Sequence, residues 1–216
     1  MATLSELATR ALKELSLIVA GESADSADLS DAEDVILDLV VKLPEYGGGR
    51  EMVDVETSIS ATAKAEQRVL CQAGSITITA PHSPRDGERF SVFPIAGGTI
   101  TVTPYRRKIE DDTASLSVTA NTTWAYRADL GDWVKVTALT NSSDSPYPAW
   151  CDLPLIHFTA MEIANQFEVP ISPQLAAKIE ASTALMSAKY SRPREVDFNS
   201  ALPQSTRGPG RLWRVR

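Results

Sequence analysis

The sequence is poor in the side chains that most often carry chemistry. It has two histidines, His82 in a proline-rich turn and His157 at the start of a helical stretch. Neither has a cysteine or aspartate at metal-ligand spacing, which argues against a zinc site. Its two cysteines, Cys71 and Cys151, stand far apart. The plain reading is two free thiols in a reducing compartment, with a disulfide left open because two residues alone do not define a pairing. There is no GxSxG, HExxH or P-loop. The glycines of "AGGT" at 96–99 fall between strand-like runs and read as a turn. The run Glu110, Asp111, Asp112 reads as a solvated turn, and Glu22, Asp25 and Asp28 as an acidic interhelical loop. No residue stands out as nucleophile or general base, so neither enzymatic activity nor a cofactor or metal is expected. No run approaches the ~18–20 apolar residues needed to cross a bilayer, and no membrane partner is expected. The opening "MATLSELATRALKEL" has charges spaced through it and does not read as a secretory signal.

Charge is unevenly placed. The formal net charge is -7, and residues 1–60 hold thirteen Asp/Glu against four Lys/Arg. The last 26 residues reverse this, with six arginines against Glu195 and Asp197. An acidic body is a poor nucleic-acid surface, because neutralising phosphates takes clustered Lys and Arg.

The pattern along the chain changes twice. In "TLSELATRALKELSL", Leu4, Leu7, Ala8, Ala11, Leu12 and Leu15 recur at helical spacing, and Thr3 with Glu6 forms a capping-box pattern. Ser30 and Glu33 repeat that box before a second helix with Ala32, Val35, Ile36, Leu39, Val40 and Leu43 on its apolar face. Pro44 is expected to stop this helix, and Gly47–Gly49 to mark a junction. Then "SITITA", "RFSVFPI", "GTITVTP", "SLSVTA", "TTWAYRA" and "DWVKVTAL" read as strands separated by turn residues. "AYRADLGDWVKV" is the clearest hairpin, with Trp124 and Trp133 on the buried side. After Pro146–Pro148 the helical period returns. Leu155, Ile156, Ala160, Ile163, Ala164 and Phe167 define a third helix. Ser172 caps a fourth that begins at Pro173, with Leu175, Ala176, Ile179 and Met186 on its face and Ser182 interrupting that stripe.

The expected fold is therefore α+β: a four-helix core with an inserted all-β sandwich or barrel and an extended C-terminal arm. Residues 1–49 and 148–190 supply the core, 50–147 the insert and 191–216 the arm. Two short helices are marginal alone, so both pairs are expected to share one core.

As an ordered set, "LSELATRALKEL", "SDAEDVILDLVVKL" and "PLIHFTAMEIANQFEVPISPQLAAKIEASTALMSAKY" resemble the helices of the head-to-tail adaptor family of tailed bacteriophages, also called tail accessory or packaged-DNA-stabilisation factors. "APHSPRDGERFSVFPIAGGTITVTP" and "TTWAYRADLGDWVKV" are similar to β modules inserted in phage adaptors and in tail-fibre proteins. The resemblance implies a structural virion protein at the head–tail junction, made in the host cytoplasm. It implies a ring, typically of twelve copies, bound below the portal protein, extending the DNA channel and giving the tail nozzle its attachment. In that setting Arg192, Arg194, Phe198, Arg207, Arg211, Trp213, Arg214 and Arg216 are expected to dock the arm on the portal. Asp31, Asp34 and Asp38, at helical spacing on one face, are expected to face the channel, where like charge lets DNA slide without sequence-specific binding. The alternative is a fibre or baseplate attachment protein that binds a receptor or glycan through its β region.

Overall fold

The structure, a computed structural model, describes residues 2–18, 23–46 and 51–190. Helix α1 spans Leu4–Glu14 and carries the capping box read from the sequence. Thr3 Oγ1 accepts the Glu6 N–H at 3.2 Å, and Glu6 Oε2 accepts the Thr3 N–H at 3.1 Å. Leu4, Leu7, Ala8, Ala11 and Leu12 are all buried, as their spacing requires.

Helix α2 spans Ser26–Tyr46 and corrects the sequence reading at both ends. It starts four residues before Ser30, with the Asp25 carboxylate accepting the Ala27 N–H at 3.3 Å. Asp28 therefore lies in the first turn, not in a loop. Ser30 is interior and caps nothing, while Glu33 accepts a hydrogen bond from Asn141 Nδ2 across the fold. At the other end Pro44 lies inside the helix, which runs on to Tyr46. Proline withholds the N–H that would satisfy a carbonyl one turn back. Here the last turn is held by tertiary contacts, and the neighbouring Val41 carbonyl takes a hydrogen bond from Arg89 at 2.6 Å.

A short 3-10 turn, Ala149–Cys151, leads into α3, Asp152–Gln166. Phe167 caps α3 and is 40% exposed, so it is not part of the buried face. Helix α4, Pro173–Tyr190, begins where Ser172 Oγ accepts the Leu175 N–H at 3.1 Å. Only Leu175, Ser182 and Met186 are buried along α4, and Ala176 is exposed. Residues of all four helices share one core, with α1, α2 and α3 mutually packed and α4 laid mainly on α3.

Ten strands form the β region: β1 Val53–Thr57, β2 Ala61–Thr62, β3 Gln67–Cys71, β4 Thr77–Thr79, β5 Arg89–Pro94, β6 Ile100–Thr103, β7 Lys108–Ile109, β8 Leu116–Val118, β9 Thr122–Arg127 and β10 Asp132–Lys135. One sheet has the order β1-β3-β5-β9-β10-β7 and the other β2-β4-β6-β8. The first six strands alternate between the sheets and pair in parallel, so the chain winds as a coil that leaves one strand in each sheet per turn. Val55, Val69 and Val92 align in successive turns, as do Ala61, Ile78 and Val102. The direction then reverses: β8 runs antiparallel to β6, and the hairpin β9–β10 closes on β5. Trp133 opposes Tyr126 in that hairpin, and Trp124 and Trp133 are both fully buried.

The two sheets share a core in which Phe90 stacks on Trp124 at 5.0 Å and meets the edge of Trp133 at 4.7 Å. The larger sheet is covered on its other face as well. Arg89 and Ala125 are register partners on that side, and all six residues of β9 are buried. Ala125, Val136 and Tyr147 belong to the helical core. The chain between the last strand and α3 also binds α1, with Ser143 and Asn141 carbonyls accepting the Leu4 and Ser5 N–H groups at 3.0 Å. The layers are thus helices, larger sheet, smaller sheet. Cys71 is buried between the sheets and Cys151 in the helical core, and both are free thiols.

Candidate partner-binding surfaces

The most constrained polar cluster lies where the larger sheet meets α2. The turn at "RDGE" launches β5, and Arg89 is its first residue, with parity opposite to core-facing Phe90 and Val92. Its guanidinium is fully buried: Nη1 donates to the Val41 carbonyl at 2.6 Å, Nη2 lies 3.5 Å from Glu45, and Nε lies 3.5 Å from Glu66 Oε2. Glu66 also accepts the Arg89 backbone N–H through Oε1 at 2.9 Å. Burial raises the Glu66 carboxyl above the usual range, and the Arg89 charge opposes that rise. Burial pushes the Tyr147 phenol up as well, so it stays protonated. Gly87 completes the cluster. Its φ is +85°, and a Cβ there would stand 2.7 Å from the Tyr190 hydroxyl, which itself donates to the Gly87 carbonyl at 3.2 Å. Trp150 Nε1 donates to Asp86 at 3.1 Å beside the same ring. These groups join helices to sheet, and Glu66, Asp86 and Tyr190 also line a small cleft there with Pro44 and Lys189. Sequence reading treated this stretch as a turn and a strand. A buried arginine heading a strand was not visible because nothing local announces the helix that covers it.

A second cluster explains a feature that sequence alone made puzzling. Ser182 interrupts the apolar stripe of α4 because its hydroxyl meets His157 Nδ1 at 2.7 Å, in the buried seam with α3. His157 sits mid-helix, not at a helix start, and burial lowers its pKa. The imidazole pins α3 to α4, its partner Ser182 lying 25 residues further along the chain.

An open groove of about 400 Å³ lies between α2 and α3. Val35 and Leu39 give it an aliphatic floor, Asp38 and Lys42 one rim, and Glu162, Asn165 and Gln166 the other. Tyr46 closes one end, donating to Glu162 Oε1 at 2.9 Å and packing on Phe158 at 5.3 Å. Burial, then the hydrogen bond and charge of Glu162, push the Tyr46 phenol up to about 12.

Of the expected acidic set, Asp34 and Asp38 are exposed and Asp31 is half-buried, all on α2. Asp38 alone among them joins the groove, opposite Glu162. The arm residues Arg192, Arg194, Phe198, Arg207, Arg211, Trp213, Arg214 and Arg216 lie outside the described residues. Glu110, Asp111 and Asp112 do form an exposed turn, yet Glu110 also accepts the Trp124 indole N–H at 2.9 Å. Exposed His82 stacks on Tyr105 at 3.7 Å, with Arg106 over the far ring at 5.4 Å. Among the described residues no group of three His, Cys, Asp or Glu side chains is arranged to hold a metal ion. Among the same residues no helix is long and apolar enough to cross a membrane. Compared with known proteins, the chain matches no protein-family model and no curated protein.

Proposed function

We propose that the protein is a structural subunit of a tailed-phage virion, a head-to-tail adaptor that forms a ring on the portal, extends the DNA channel and gives the tail nozzle its seat. The observation that carries this reading is the ordered set of elements: a helix pair, a β insertion and a second helix pair, with all four helices sharing one core. That is the order in which the resembling segments occur in adaptors. Exposed Asp34 and Asp38 would repel a passing duplex. The C-terminal arginines and Trp213 would anchor the chain on the portal.

The alternative, fibre or baseplate attachment, has one surface in its favour. The His82–Tyr105 stack beneath Arg106 is an exposed aromatic and cationic corner of the β region, of the kind that holds a sugar ring.

Cosedimentation with the cognate portal separates these readings. An adaptor pellets with portal and shows no salt-dependent affinity for duplex DNA. A fibre protein stays in the supernatant, forms trimers and is retained by a glycan. Failure to bind portal, or submicromolar DNA binding with a steep salt slope, contradicts the adaptor reading.

A further inference from the structure

We propose that the groove between α2 and α3 is the resting seat of the chain's own C-terminal segment, with Trp213 on the Val35–Leu39 floor and the flanking arginines on Asp38 and Glu162. The idea does not depend on what the segment meets in an assembled particle.

Three observations converge on this occupant. The first is chemistry. The groove combines an aliphatic floor, the Tyr46 ring and two carboxylates, with Lys42 its one lining cation. Few segments match an apolar slot with acidic rims; one that does alternates large apolar and cationic side chains. "RLWRVR", from Arg211 to Arg216, does so without a single carboxylate. Tryptophan and arginine are also the types that most often anchor such contacts. The second is size. About 400 Å³ lies within the range of pockets that hold a bulky side chain together with its neighbours. The third is reach. Helix α4 ends at Tyr190, which lines a small cleft together with Pro44 of α2. Pro44 lies on α2 two residues from Tyr46, the closed end of the groove, and so faces the other side of that helix. The end of α4 at Tyr190 therefore stands across α2 from the groove, and chain length has to carry the segment round. From there to Trp213 the chain spans up to roughly 75 Å when extended, whereas the Val35–Tyr46 stretch of helix is only about 17 Å long. Because groove and segment belong to one chain, their encounter is intramolecular and a modest contact suffices.

Charge also selects this groove over another open one among the described residues. The cleft lined by Arg106, Arg107 and Lys108 is cationic and would repel an arginine-rich segment. A seat built on attraction between arginine and carboxylate weakens with salt.

Disulfide trapping in the full-length protein tests the proposal. Both native cysteines are buried, so introduced thiols react selectively. Gln166→Cys, on the exposed rim of the groove, is paired with Leu212→Cys beside Trp213. The control pairs Leu212→Cys with Thr183→Cys on the exposed side of α4. In dilute protein under mild oxidation, the groove pair should close within one chain about tenfold or more faster than the control. Adding Trp213→Ala should bring that rate down to the control, and high salt should slow it. Equal rates for the two pairs overturn the seat. So does a disulfide that forms only between chains, which would make a second copy the occupant. A groove-pair rate indifferent to Trp213→Ala also overturns it, since the contact would then be incidental. Portal cosedimentation of the same variants reports separately on the adaptor reading.

Discussion

Replacing Arg89 by methionine removes a fully buried cation from the seam between α2 and the larger sheet while keeping most of the side-chain volume. The guanidinium is fully buried and holds the Val41 carbonyl at 2.6 Å, beside the proline that already costs α2 a backbone bond. Its loss also leaves the Glu66 carboxylate, 9% exposed, without its counter-charge. Removing one partner of a buried ion pair costs about 3–5 kcal/mol. The lost bond to the Val41 carbonyl belongs to the same site and overlaps with that figure rather than adding to it. A loss of this size is a large share of a typical stability of about 5–15 kcal/mol. Urea unfolding followed by the fluorescence of buried Trp124 and Trp133 reads it directly. The pH dependence identifies the cause. Burial already raises the folded-state pKa of Glu66, and without Arg89 it climbs further. A carboxyl whose folded pKa lies above its unfolded value is penalised at high pH, and the penalty fades as acid protonates it. The gap between wild type and Arg89→Met should therefore narrow on acidification from neutral pH toward 5. In the Arg89→Met background, Glu66→Gln should recover part of the loss at neutral pH. A deficit below about 1 kcal/mol, or one that does not change with pH, would refute the assignment of Arg89 as the charge that makes this junction tolerable.

Ser182→Ala should destabilise by about 1–3 kcal/mol, because it leaves the buried His157 Nδ1 without its partner. Burial lowers the His157 pKa, so the unfolded chain binds the proton more readily and stability falls as pH drops through about 6.5. His157→Gln should flatten that part of the profile in urea titrations at several pH values. Gly87→Ala should cost more than about 1 kcal/mol, since φ is +85° and the new methyl meets the Tyr190 hydroxyl at 2.7 Å. Tyr190→Phe in that background should recover little, because the backbone strain remains; full recovery would assign the cost to the hydroxyl contact alone.

How much was legible in the sequence follows from the range of the interactions involved. The face of α1 was legible in full, since Leu4, Leu7, Ala8, Ala11 and Leu12 bury at the helical period and the cap is local. The ends of α2 were not. Ser30 and Pro44 carry the local signals for a start and a stop, but packing of Leu43 and Pro44 into the core and the Arg89 bond outweigh them. Six strands with clear alternation were found. Four strands were missed: β1 because it is an exposed edge with polar residues between its valines, β2 and β7 because they are two residues long, and β3 because its apolar run is only Val69, Leu70 and Cys71. The parallel coil was invisible for a different reason: alternation reports which face is buried, not which strand lies alongside or in which direction. Arg89, Tyr147 and the His157–Ser182 pair depend on partners far away in sequence, so no local pattern marks them. Of the candidate site, Asp38 was anticipated on α2, but its pairing across a groove with Glu162 needed the packing of α3.

The most direct measurement of the central claim is electron microscopy of the purified protein mixed with its portal, alongside the intact virion. The adaptor account predicts a closed ring of many copies stacked on the portal at the head vertex, coaxial with the DNA channel. Trimers at the tips of fibres or on a baseplate, with a bare portal, would contradict it.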